Sequence, residues 1–223
     1  WNFPFLMAAW KLAPVIAAGD TSVLKQSSET SLSVLELMRL IKDVLPKGVV
    51  NVITGKGSGA GAFLQKHSGI DKIAFTGSTE IGREIAISAA EKIIPATLEL
   101  GGKSANIIYA DADFDLALDG VQMGILFNQG QVCCAGSRIF VEEKIYDKFI
   151  AAAVEKFKNL KVGDPLDPKT QMGSQINAKQ AAKIVEDINI GVKEGAKIAV
   201  GGKLAAAGDS FVEPTLLVDV SND

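Results

Sequence analysis

The stretch FNQGQVCCAGSR, Phe127 to Arg138, sets two cysteines side by side among small and amide residues. A thiolate becomes a strong nucleophile when its surroundings acidify it and a base stands near. Neighbouring Cα atoms lie about 3.8 Å apart, below the usual disulfide range, so Cys133 and Cys134 are expected as reduced thiols. Cys133 follows a helical pattern that ends near Asn128, in a loop whose Gly, Gln and Ala residues let another molecule approach. Its alternative role is that of a small buried thiol. The only histidine, His67, sits in LQKHSGIDK, which has the composition of a solvated loop and makes it an improbable base. Glu99 is a better one. It ends an apolar strand pattern just before Gly101 and Gly102, where partial burial would raise its pKa toward values useful to a general base; an exposed strand-end charge is the alternative.

Two glycine-rich turns each follow a strand pattern and open a helix pattern, a setting in which backbone N–H groups and the helix dipole hold phosphate. The first, Gly55-Lys56-Gly57-Ser58-Gly59-Ala60, is a degenerate G-x-G-x-x-A; the second, Gly77-Ser78-Thr79-Glu80-Ile81-Gly82, adds hydroxyls at the helix start. Glycine at a tight turn needs no ligand, and Ser78 serves equally as a helix cap.

The elements that must position these groups alternate helix and strand along all 223 residues, the pattern of an α/β protein with a largely parallel sheet. WNFPFLMAAWKLAP reads as the entry to an apolar helix. TSLSVLELMRLIKDVL has polar positions every third residue and a wide apolar face, and GVVNVIT, residues 48–54, is a charge-free β-branched run suited to a strand covered on both faces. Further helices are expected at 113–128, 146–160 and 177–194, the last with an apolar stripe of Ala181, Ile184, Ile188 and Val192. Further strands are expected at 104–110, 137–142, 197–200 and 211–219. The glycine pair at 101–102 splits two strand-like runs, which places a domain border there: residues 1–101, then 102–223.

Apolar residues make up 48% and charged ones 22%, with net charge −3 and pI near 5.3, which is ordinary for a globular protein and shows no basic patch for nucleic acid. No apolar run is long enough to span a bilayer and nothing resembles a signal peptide, so a cytoplasmic location is expected. No metal site is expected. The chain lacks an initiator methionine and ends after a strand-like run, so a piece of a longer protein is expected.

WNFP, FTGSTEIG, LELGGKS and FNQGQVCCAGSR, in this order along the whole chain, closely resemble the NAD(P)-dependent aldehyde dehydrogenase superfamily. The 34 residues from Glu99 to Cys133 match that family as well. The resemblance implies part of a Rossmann-like dinucleotide-binding domain in 1–101, followed by part of an α/β catalytic domain in 102–223. It implies Cys133 as the nucleophile, Asn2 and the Cys133 N–H as the oxyanion hole, and Glu99 as the base that activates water. Lys11, Lys25, Ser28, Gly57, Gly77, Ser78 and Thr79 take cofactor positions, for NAD or NADP. Phe3, Met7, Trp10, Met123, Phe127, Val132 and Cys134 fall where the family walls its substrate tunnel. That wall carries no arginine, which points to aliphatic or aromatic aldehydes over semialdehyde acids.

One departure bears on the cofactor. Ser28 occupies the slot of a glutamate that commonly accepts from the ribose hydroxyls, so repulsion against a 2′-phosphate is lost while Lys25 stays to attract one. The segment Glu-x-Phe-Gly-Pro, the first strands of the cofactor sheet and the joining β-extension are expected outside residues 1–223, with an isolated piece binding cofactor poorly. The resemblance further implies a homodimer or homotetramer for the full-length protein. A CoA-acylating relative, in which CoA takes the acyl group, is the alternative within the family, and Glu99 argues against it. A non-catalytic remnant, or a cysteine acyltransferase using His67, are alternatives outside it.

Overall fold

The computed structural model describes residues 1–221; Asn222 and Asp223, the last two residues of the sequence-predicted second domain, lie outside the described residues. The chain forms two compact units that divide after Gly101.

In the first unit, helix α1 (Pro4–Ala18) opens with Pro at its first turn, where the fixed φ suits a helix and the missing N–H costs nothing. It closes on left-handed Gly19, whose N–H donates to the Ile16 carbonyl. Strand β1 (Ser22–Lys25), helix α2 (Leu32–Ile41) and strand β2 (Val50–Ile53) form one parallel βαβ unit with Lys25 opposite Ile53. A π-helical turn at Gly57–Gly61 leads into the short α3 (Ala62–Lys66). Strand β3 (Ile73–Thr76), helix α4 (Thr79–Lys92) and strand β4 (Ala96–Glu99) repeat the βαβ pattern, with Thr76 opposite Glu99. Ala8 and Leu12 of α1 meet Val34 of α2 in a small core.

In the second unit, β5 (Ala105–Ile108), α5 (Phe114–Leu126) and β6 (Arg138–Val141) make a third parallel βαβ unit. Helix α6 (Tyr146–Lys158) packs on it through Phe149, Ala153 and Phe157, spaced four residues apart on one face. Helix α7 (Ala178–Lys193) precedes an antiparallel pair, β7 (Lys197–Val200) and β8 (Leu216–Val218). Phe149 and Phe157 are fully buried with Ile108, Val121 and Leu216 around them, each aromatic ring contributing about 1.5–3 kcal/mol.

Among the described residues the strands form four two-stranded ribbons, three parallel and one antiparallel, in keeping with the largely parallel α/β pattern. Other sequence expectations need correction. The strand expected at 211–219 shrinks to Leu216–Val218, because Pro214 cannot donate to a ladder. β1 was not expected; it is four residues long and ends in Lys, too short for a period to show. Helix α2 stops at Ile41 instead of running on to Leu45. In α7, Ala181 and Ile188 are buried, while Val192 of the expected stripe is exposed in the last turn. Among the described residues no helix is long and apolar enough to cross a membrane.

Candidate active site

The first unit gathers its candidate residues at the carboxyl ends of parallel strands, where open α/β sheets place their ligands. Lys25 ends β1, and its Nζ donates to the carbonyls of Gln26 at 2.5 Å and Gly55 at 3.3 Å. Its methylenes lie against Gly61, since a Cβ there would sit 3.4 Å from Lys25 Cδ. Partial burial pushes the Lys25 pKa below the usual lysine value. Gly57 and Gly59 have open space where a side chain would project, as close approach by a ligand requires. Ser28 is exposed in the turn after β1.

At the second turn, Ser78 caps α4 by accepting from the Ile81 N–H at 3.3 Å, and Thr79 begins the helix. The Gly77 N–H donates to the Glu99 carbonyl at 3.0 Å, which ties the turn to the end of β4. A Cβ on Gly77 would press on the outer edge of the Phe75 ring, and one on Gly82 on the Leu100 methyl groups, so each glycine leaves room for that side chain. Lys11 donates to Thr76 Oγ1 at 2.7 Å; burial lowers its pKa and the charge of Glu99 opposes that shift. The turn residues present therefore fit a dinucleotide phosphate: an ammonium group, free backbone at glycine, and a capped helix N-terminus.

Glu99 is exposed, which is the strand-end alternative weighed against partial burial from the sequence. Among the described residues β4 pairs only with β3, and the position after three strand residues opens to solvent. Asn2 and Met7 are half-buried and Trp10 is exposed on α1. Phe3 holds a left-handed conformation, φ 50°, at the N-cap, a rare state for a bulky side chain that turns the chain sharply beside Asn2. His67 is exposed: its Nδ1 accepts from the Gly69 N–H at 3.0 Å and its ring leans on Phe63.

The second unit carries the cysteines. Cys133 and Cys134 are both reduced and exposed. Gly102 backs the Cys133 carbonyl so closely that a Cβ there would lie 2.8 Å from the oxygen. Among the described residues the Cys133 N–H has no hydrogen-bond partner. Just upstream, Asn128 (φ 48°), Gln129 (φ 56°) and Gly130 (φ 72°) are all left-handed. Outside glycine that state costs roughly 1–2 kcal/mol per residue, so the surroundings must enforce it. Met123, Phe127, Val132 and Cys134 join Gly124 and Ala135 around an apolar depression of about 380 Å³. Ala135 and Gly136 are buried beneath the loop, where Asn106 Nδ2 donates to the Gly136 carbonyl at 3.2 Å and the Gly136 N–H donates to Gly124 at 2.9 Å. Among the described residues no group of three His, Cys, Asp or Glu side chains could hold a metal.

Sequence reasoning missed Gln175 and Gln131, whose side chains tie the loop 173–176 to the left-handed turn. Distant in sequence, part of no motif and set among the polar and small residues Gly173, Ser174 and Asn177, Gln175 gave no signal.

Parallel βαβ units with glycine turns at their strand ends make residues 1–101 a Rossmann-like α/β fold, here in one chain with a thiol-bearing α/β unit. The chain belongs to the aldehyde dehydrogenase family, whose model matches residues 1–223. It is 52% identical to human retinal dehydrogenase 2, covering 100% of this chain and 43% of that protein. An aldehyde dehydrogenase from Bacillus cereus, solved as an NAD+ complex, shares 45% identity with a TM-score of 0.97, over 100% of this chain and 46% of its own. Betaine aldehyde dehydrogenase from Staphylococcus aureus in complex with NAD+ shares 42% identity with a TM-score of 0.96, over 99% of this chain and 45% of its own. The chain thus spans a little under half the length of these relatives.

Proposed function

We propose that the full-length protein containing this chain oxidises an aldehyde to the carboxylic acid with NAD or NADP, through a covalent bond to Cys133. The observation that carries this reading is the Cys133 loop: an exposed thiol with an unengaged N–H, set on an enforced left-handed turn beside an apolar depression.

The Cys133 thiolate adds to the carbonyl carbon, a C–S bond forms, and the carbonyl electron pair moves to oxygen. The Cys133 N–H and the Asn2 amide hold that oxyanion. As the oxyanion collapses to a carbonyl its carbon gives up hydride, which leaves a thioester on Cys133; a bound nicotinamide would supply the two-electron acceptor for that hydride. Lys25, Ser78 and the glycine backbone at Gly57 and Gly77 would hold its dinucleotide, with Thr79 and Lys11 flanking them. Glu99 takes a proton from water, which attacks the thioester carbon, breaks the C–S bond and releases acid and thiolate. The apolar walls around Met123, Phe127, Val132 and Cys134 favour aldehydes without a second charge, and the family resemblance assigns Phe3, Met7 and Trp10 the same apolar role. Ser28 in place of an acid leaves Lys25 free of a neighbouring carboxylate, which supports use of NADP as well as NAD.

Replacing Cys133 by serine in the full-length protein should lower aldehyde oxidation by at least about a thousandfold with the fold intact by circular dichroism. Undiminished turnover overturns the reading. The wild-type product should be the free acid whether or not CoA is present; acyl-CoA would assign the protein to the acylating branch instead.

A further inference from the structure

We infer that Gln175 and Gln131 are positioning residues for the nucleophile: together they clamp the left-handed turn Asn128–Gly130 and thereby aim the Cys133 thiol and its N–H. The inference rests on reading Cys133 as the nucleophile.

Gln175 is 4% exposed, an unusual place for an amide. Its own backbone is fixed from outside the loop, the N–H donating to the Ser210 carbonyl at 2.7 Å. From there the side-chain Nε2 donates to the Gln129 carbonyl at 3.3 Å. The next residue, Ile176, donates its N–H to Gln131 Oε1 at 3.1 Å, and Gln131 Nε2 donates to Gln129 Oε1 at 3.3 Å. The Gln131 N–H in turn donates to the Asn128 carbonyl at 3.0 Å. These bonds all close on the four residues that precede Val132 and Cys133.

A buried site kept for packing alone is best filled by an apolar side chain, because a buried amide must find partners for every polar atom. Gln175 does not find them all: its Oε1 is buried with no hydrogen-bond partner among the described residues. An amide retained at that cost is explained by the one bond it does make, to the carbonyl of a residue in a strained conformation. Released from Gln175 and Gln131, Asn128 and Gln129 would relax to negative φ, and the peptide planes leading to Cys133 would turn with them. Rate depends steeply on such aim; a misplacement near 1 Å costs about a hundredfold.

The test uses the full-length protein. Gln175→Met keeps length and volume and removes the donor; Gln131→Met removes both of that side chain's contacts. Each variant should lower kcat about 10- to 100-fold while KM for the aldehyde stays within about threefold. Alkylation of Cys133 by iodoacetamide should slow and lose selectivity over Cys134, with the thermal midpoint moved by no more than a few degrees. Gln175→Glu, which has no donor for the Gln129 carbonyl, should not restore kcat. The double Met variant should be little worse than the poorer single one, since both act on the same turn. Unchanged kcat in both single variants, a loss that only follows the folded fraction, or effects that multiply in the double variant would overturn the inference. Cys133→Ser run alongside separates the two levels: if it retains activity the nucleophile reading falls, and if it is inactive while the Gln variants match wild type only the positioning role falls.

Discussion

The two units solve the same packing problem with unequal means. Residues 102 onward bury two whole phenylalanine rings with Ile108, Val121 and Leu216. Among the described residues the first unit's cluster buries Ala8, Leu12 and Val34, while Trp1 before α1 and Phe5, Leu6 and Trp10 on it are exposed. The unit that bears the thiol thus stands on a deep core of its own. The unit that bears the glycine turns is held locally, by caps and by glycine-to-side-chain contacts such as Gly82 on Leu100. On the proposed reading, a nucleophile in the second unit would gain a fixed backbone from its deep core, and turns that receive phosphate in the first would keep open space around Gly57 and Gly59.

The largest effect expected from breaking this contrast is at the deep core. Phe149→Ala should cost about 3–5 kcal/mol in urea unfolding, against about 1–3 for Val34→Ala. Equal losses would show that the two cores matter alike. Next comes Gly102→Ala. Its new methyl group must displace the Cys133 carbonyl, so a stability loss of about 1–3 kcal/mol should accompany a marked slowing of Cys133 alkylation. Ser78→Ala removes a cap and should cost the first unit about 1 kcal/mol, readable as faster amide exchange in α4 than in α5.

The smallest expected effect concerns Glu142 in the second unit, whose Oε2 accepts from the Ala110 N–H at 2.7 Å. That bond, with help from Lys144, holds its carboxyl below the ordinary range. A depressed folded pKa adds stability that is complete above the unfolded value of about 4.3 and disappears as pH falls through the folded one. Wild type should therefore exceed Glu142→Gln in thermal midpoint at pH 7, and the difference should shrink steadily below about pH 4.

How much of this was legible in the sequence depended on range. The strand–turn–helix at Ile73 to Lys92 could be read because β3, the glycines and the Ser78 cap are contiguous, and each local preference agrees with the next. The motif around Cys133 was equally contiguous. The left-handed state of Gln129 could not be read, since glutamine has no leaning toward it and the bonds that impose it come from Gln175, 46 residues away. Glu99 stayed open for the opposite reason: its apolar sequence neighbours allow partial burial and its place at a strand end allows exposure, and burial is decided by what lies across the strand, where among the described residues β4 has one partner. The four residues of β1 were too few to display a period at all.

The ribbons carry a consequence for handling the molecule. Each has two strands, so among the described residues each offers a row of unsatisfied amides and carbonyls on both flanks. Unsealed flanks of this kind recruit strands from neighbouring molecules. Concentrated solutions of residues 1–223 by themselves should scatter more light with time and gain the thioflavin signal of intermolecular sheet, while a chain whose additional strands seal those flanks should stay clear.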